Sequence, residues 1–181
     1  MGRTPLALLA AGLLLTACGE EPRIVAPEGI SGGKPVPPSA LEHLTLSHGQ
    51  LVYVPVYAFV AAREADQVFP FAVNVSVRNT DRGRRIAVTS ARYHDTDGKL
   101  IREYIENPRV LEPLAATTLK VAQSDLRGGL GGCFLVEWRA EEAVTEPVVE
   151  AVMLGQREVR TAAFSTPGRV VEERGDVEPT R

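Results

Sequence analysis

The chain has 181 residues, with 20 basic against 23 acidic side chains and two cysteines. A formal charge of −3 lacks the basic surplus that nucleic-acid binding draws on. The length suits one domain with a real core plus terminal extensions.

The first seventeen residues carry one charge, Arg3, and then an apolar run from Leu6 to Leu15. That run is shorter than the ~20 apolar residues of a membrane-spanning helix, so residues 1–17 read as a signal peptide. The run "LTAC", residues 15–18, resembles the bacterial lipobox, in which the cysteine is diacylated, the leader is cut before it and the new amino terminus is acylated. Cys18 is therefore the expected lipid attachment site, and the membrane the expected partner of the anchor. Three acyl chains exceed the two signals that already give stable anchoring. Gly19, rather than an aspartate, follows the cysteine, which points to the periplasmic side of the outer membrane. Losing Arg3 with the leader leaves 19 basic against 23 acidic residues, a charge of −4 once the amino terminus is acylated. Cys133 then has no partner for an internal disulfide, and its setting in "GGCFLVEW" predicts a buried thiol acting as a small apolar group.

Residues 19–43 contain nine Gly or Pro, and residues 18–43 read as the lipidated cysteine with a flexible linker. Such a tether reaches about 75 Å if extended and about 30 Å as a coil. Residues 44–172 read as the folded domain and 173–181 as a disordered tail. Seven strands are expected, over residues 50–60, 69–79, 86–94, 99–105, 114–121, 133–140 and 148–154, with one helical turn allowed in "AAREAD" (61–66). The second strand is the clearest, because Phe69, Phe71, Val73, Val75 and Val77 alternate with smaller or polar residues. The third and fourth form a hairpin across "HDTDGK". Pro55 inside the first strand predicts an edge or a bend, since proline cannot donate to a ladder. The fold class is all-β, an immunoglobulin-like antiparallel β-sandwich without the disulfide of antibody domains.

Most motifs resolve to plain structure. "DTDG" (95–98) fails as a calcium loop because tyrosines would stand at its first and twelfth positions, so it reads as a turn. "RGGLGG" (127–132) is followed by a strand rather than the helix a phosphate loop needs, although Arg127 gives it a positive edge. His43, His48 and His94 lack the clustering of a metal site, and no hydrolase motif is present. One constellation carries chemistry. If "FLVEWRA" and "PVVEAVM" pair as a hairpin with Phe134 facing Met153, then Val136 faces Ala151 and Trp138 faces Val149 on an apolar side. The other side then opposes Glu137 and Glu150 at about 5 Å between β-carbons, which needs a neutralising group. Arg139, or one of Arg78, Arg92 and Arg102, supplies it in a structural network; a bound cation, a basic partner or a shared proton supplies it in a functional one. Glu137, Arg139 and Glu150 are thus the candidate binding surface.

The runs "YVPVY" (53–57), "RNTD" (78–81), "GKLIREYIE" (98–106), "FLVEW" (134–138) and "EPVVEAVMLG" (146–155), in that order, resemble the bacterial family called domain of unknown function 3124, from about Leu46 to Val171. The resemblance implies exported, often lipidated proteins with no established activity, catalytic residue or ligand. The combined expectation is a membrane-anchored periplasmic module that binds an envelope protein. It assigns no cofactor, no metal and no catalytic residue. The alternative is a hydrolase or cation-binding protein using the Glu137/Glu150 pair.

Overall fold

A computed structural model describes residues 29–61 and 67–175. The leader, Cys18, Gly19, most of "AAREAD" and the last six residues lie outside them. Fourteen strands follow in chain order: β1 Ile30–Gly32, β2 Lys34–Pro35, β3 His48–Val56, β4 Phe59–Ala61, β5 Val68–Pro70, β6 Ala72–Arg78, β7 Ile86–His94, β8 Leu100–Glu103, β9 Arg109–Leu111, β10 Ala116–Val121, β11 Gly132–Ala140, β12 Val148–Arg157, β13 Arg160–Pro167 and β14 Arg169–Arg174. One sheet runs β1-β10-β6-β12-β13; the other runs β14-β3-β11-β7-β9-β2, with β8 also on β7; β4 and β5 form a ribbon of their own. Every pairing is antiparallel.

Period-2 alternation builds the sandwich. Val73, Val75 and Val77 of β6 point inward, as do Phe134, Val136 and Trp138 of β11 and Ala151 and Met153 of β12, all completely buried. Tyr93 stacks on Phe134 with 4.9 Å between ring centroids. The Trp138 indole N–H donates to the buried Gln50 side chain at 3.2 Å, so this polar atom in the core is satisfied. The central pairs, β6 with β10 and β7 with β11, match the B–E and C–F pairs of immunoglobulin sandwiches. The outer long strands differ: β3 lies beside β11, where an immunoglobulin fold has its last strand, and β12 lies beside β6, where it has its first.

That exchange corrects the expected last hairpin. β11 pairs with β3 and β7, and β12 pairs with β6 and β13, so the two lie in different sheets and Glu137 does not face Glu150. The apolar triplets were rightly assigned to the core, but they meet across the interior rather than along a ladder. Polarity alone cannot separate these arrangements, because both put the same face of each strand inside. The connection between them, residues 141–147, is long enough to cross the end of the sandwich and buries Val144 there.

Three further expectations change. Pro55 is not on an edge strand: β3 runs between β11 and β14, but the β14 ladder stops at Tyr53, so the missing proline N–H falls beyond it. Part of the expected linker is ordered, since β1 pairs with β10 and β2 with β9, and the Arg109 guanidinium donates to the carbonyls of Gly32 and Gly33. Beyond Gly155, where one apolar patch and a fraying tail were expected, β12 and β13 form a long hairpin and β14 closes on β3 through Arg174.

Candidate functional site

"RNTD" organises one end of the sandwich, where three inter-strand loops converge. Asn79, 2% exposed, accepts from the Asp81 N–H and donates through Nδ2 to the carbonyls of Arg84, Leu111 and Glu112 at 2.8–3.1 Å. Asp81, 7% exposed, accepts from the N–H groups of Gly83 and Arg84 at 2.8 Å and of Thr145 at 3.0 Å. The Thr80 hydroxyl donates to the Glu146 carbonyl at 2.7 Å. These bonds fasten the β6–β7 loop to the β9–β10 and β11–β12 loops. The N–H groups of Gly83 and Thr145 hold the Asp81 carboxyl below its ordinary 3.8. The cluster is fully employed in holding loops, which makes it scaffold.

The candidate residues lie elsewhere. Chain order forces residues 36–47 to travel from β2, at one side of its sheet, to β3, so they cross β9, β7 and β11 on the outer face. They include a 3-10 turn, Pro38–Ala40, and present Leu41, Leu44 and Leu46 toward the sheet. Beneath this strap is a cleft of about 170 Å³ with a floor of Ile86, Ala87, Val110 and Ala140 and a rim of Arg85, Arg139 and Glu141. A second recess shares Leu41, Leu46 and Arg139 and adds Thr89 and Glu137. Leu41 falls in the expected linker and Leu44 and Leu46 at the start of the expected domain; the spacing of the three matches neither strand nor helix, so the sequence alone does not mark the strap.

Glu137 and Arg139 are thus brought to one place, and Glu150 is not. The Arg139 guanidinium donates twice to Glu137 Oε1, at 2.9 and 2.6 Å, with both side chains largely covered. Glu150 sits on the other sheet, 3.1 Å from Arg78. Each carboxylate has its own arginine, as two separate pairs on different sheets. Arg102 lies over the Tyr104 ring, 4.5 Å from its centroid. The Arg85 and Glu141 side chains pair at 3.2 Å, so the cleft rim is close to charge-neutral.

The remaining motifs are structural. Cys133 is buried between Pro55 and His94 in register, and burial pushes its thiol up from 9.0. "DTDG" turns the β7–β8 hairpin, with Gly98 at φ 79° and Asp95 accepting from the N–H groups of Asp97 and Lys99. In "RGGLGG", a Cβ on Gly128 would overlap the Tyr93 hydroxyl, and Arg127 is bound to Asp125 at 2.7 and 2.8 Å. Burial pushes the Tyr93 phenol up to about 12. Among the described residues, no group of three or more His, Cys, Asp and Glu side chains is placed to hold a metal ion, and no helix is long and apolar enough to cross a membrane.

Residues 49–171 match the family model described as Protein of unknown function (DUF3124). The chain belongs to this family. No curated protein and no solved structure matches the chain. Within the DUF3124 domain, the "RNTD" run is the loop clamp just described, and "FLVEW" supplies three core residues together with Glu137. The strap, residues 36–47, precedes the matched segment, so the clefts combine family framework with a covering segment that lies outside it.

Proposed function

We propose that the chain is an envelope lipoprotein, anchored through Cys18 on the periplasmic face of the outer membrane, whose sandwich captures another envelope protein in the cleft beneath the 36–47 strap. The observation that carries this reading is the cleft itself: an apolar floor and leucine roof, ringed by arginine–glutamate pairs. A dry apolar cavity of ~150 Å³ admits a benzene-sized group. The cleft, at about 170 Å³, therefore fits a single apolar side chain, the way one anchor residue seats in an interface. "LTAC" and the Gly/Pro-rich stretch that follows it support the address.

The test is photo-cross-linking in intact cells from a diazirine side chain at Leu44. The wild-type background should yield a discrete protein adduct, and Ala40→Trp, which fills the cleft from its exposed rim, should remove it without lowering thermal stability. An adduct of undiminished yield in Ala40→Trp moves the binding surface away from the cleft.

A further inference from the structure

A sandwich must guard its strand edges, because unpaired N–H and C=O groups recruit other strands. This one guards most of them. Among the described residues β1 is three residues long, β2 two, and β4 and β5 three each; β8 is four, with Arg102 and Glu103; β14 carries Arg169, Glu172, Glu173 and Arg174. β13 is the exception along most of its length. It runs for eight residues, pairs there only with β12, and carries no charge from Thr161 to Thr166, with Arg160 and Pro167 at its ends. Its hairpin partner exposes Val152 (37%) and Leu154 (48%) on the outer face, while Phe164 (36%), seated edge-on against Phe71 and Tyr57, keeps one side open.

We propose that β13 is a self-association edge, pairing antiparallel with β13 of a second copy of this chain about a two-fold axis at Ala163. The sequence is complementary to itself in that register. Ala163 faces Ala163 of the second copy, Thr161 faces Ser165, Ala162 faces Phe164 and Arg160 faces Thr166, so no like charges are opposed and the one large ring meets the smallest neighbour. Rows continue across the axis: on the outer face Leu154 and Ala163 run on into Ala163 and then Leu154 of the second copy, and on the inner face Ala162 of the second copy covers the open side of Phe164. An axis perpendicular to the sheet keeps both faces aligned and joins two five-stranded sheets into one, a closed isologous dimer. A single ladder of this length buries less than the ~1,200 Å² of a stable interface, so the association is weak and concentration-dependent.

The test is oxidative cross-linking of the full chain in intact cells, in a Cys133→Ala background. Directly opposed residues have Cα atoms about 4.5–5.5 Å apart, inside disulfide reach. Ala163→Cys should give a disulfide-linked dimer about tenfold above Val159→Cys, a fully exposed thiol at the hairpin tip, as expected for thiols held at millimolar effective concentration. Ala163→Lys, which opposes two like charges on the axis, should abolish dimer formation through a Thr161→Cys, Ser165→Cys pair while leaving the melting temperature unchanged. Equal dimer from positions 163 and 159, or a dominant adduct at 163 with a different protein, overturns the proposal.

Discussion

Asp81→Asn isolates the clamp at one end of the sandwich. The amide keeps the size of the carboxylate but has one acceptor where Asp81 has two. Its oxygen can still receive the N–H groups of Gly83 and Arg84, so its nitrogen must then face the Thr145 N–H, donor against donor. Leaving a buried N–H unsatisfied costs about 1–3 kcal/mol, and the two remaining bonds each lose roughly 1 kcal/mol of charge assistance. Partial relaxation of the 141–147 loop offsets some of this, giving a loss of about 3 kcal/mol. For a domain of this size that is roughly a 10 °C drop in melting temperature. The assay is urea unfolding of the mature chain carrying Cys18→Ser, followed by Trp138 fluorescence, from pH 7 down to pH 3. The folded pKa of Asp81 lies below 3.8, so its contribution is fully present above that value and is lost as pH falls through the folded pKa. The gap between wild type and Asp81→Asn should therefore be constant near neutrality and narrow below about pH 4. A gap under about 1 kcal/mol at pH 7, or one that stays constant down to pH 3, refutes the clamp.

The other expectations follow from single contacts. Gly128→Ala should destabilise by about 2 kcal/mol in thermal melts, because the added Cβ overlaps the Tyr93 hydroxyl, whereas Gly131→Ala in the same loop should be much milder. Cys133 should resist iodoacetamide in the native protein and react at once in urea, since its thiol is buried and its pKa raised. Glu150→Gln should change stability by less than about 1 kcal/mol, its Arg78 partner being half exposed. Glu137→Gln should cost more than Glu150→Gln, because Arg139 is largely covered and would lose its only carboxylate among the described contacts.

Strand existence was legible wherever an alternating run carried large residues, as in β6, β7, β10 and β11, because burying one face of a pleated strand leaves a period-2 record in the chain. β13 and β14 left none: "TAAFST" has a single large residue, Phe164, among small and polar ones, and "RVVEER" puts charge where a central strand would have hydrophobes. Which sheet a strand joins was legible only at the β7–β8 hairpin, which its turn residues mark. Phe134, Val136 and Trp138 face inward whether β12 pairs with β11 or lies opposite it, so the Glu137/Glu150 opposition was one of two arrangements the same polarity permits. Of the candidate surface, Glu137 and Arg139 lie together on one face of β11, but the reason for singling them out, an opposition to Glu150, does not hold, and the strap beside them depends on a crossing that only topology reveals.

The proposed anchor and the proposed capture cleft are tested together by one measurement: the yield of the Leu44 photo-adduct in intact cells from the wild-type chain against Cys18→Ser, at matched expression in the periplasm. The proposed lipid anchor would confine the domain beside the proposed partner, so wild type should give the adduct and be labelled by an alkyne-bearing palmitate, while Cys18→Ser should lose the label and most of the adduct. Equal adduct from both chains, or palmitate label persisting in Cys18→Ser, contradicts the account.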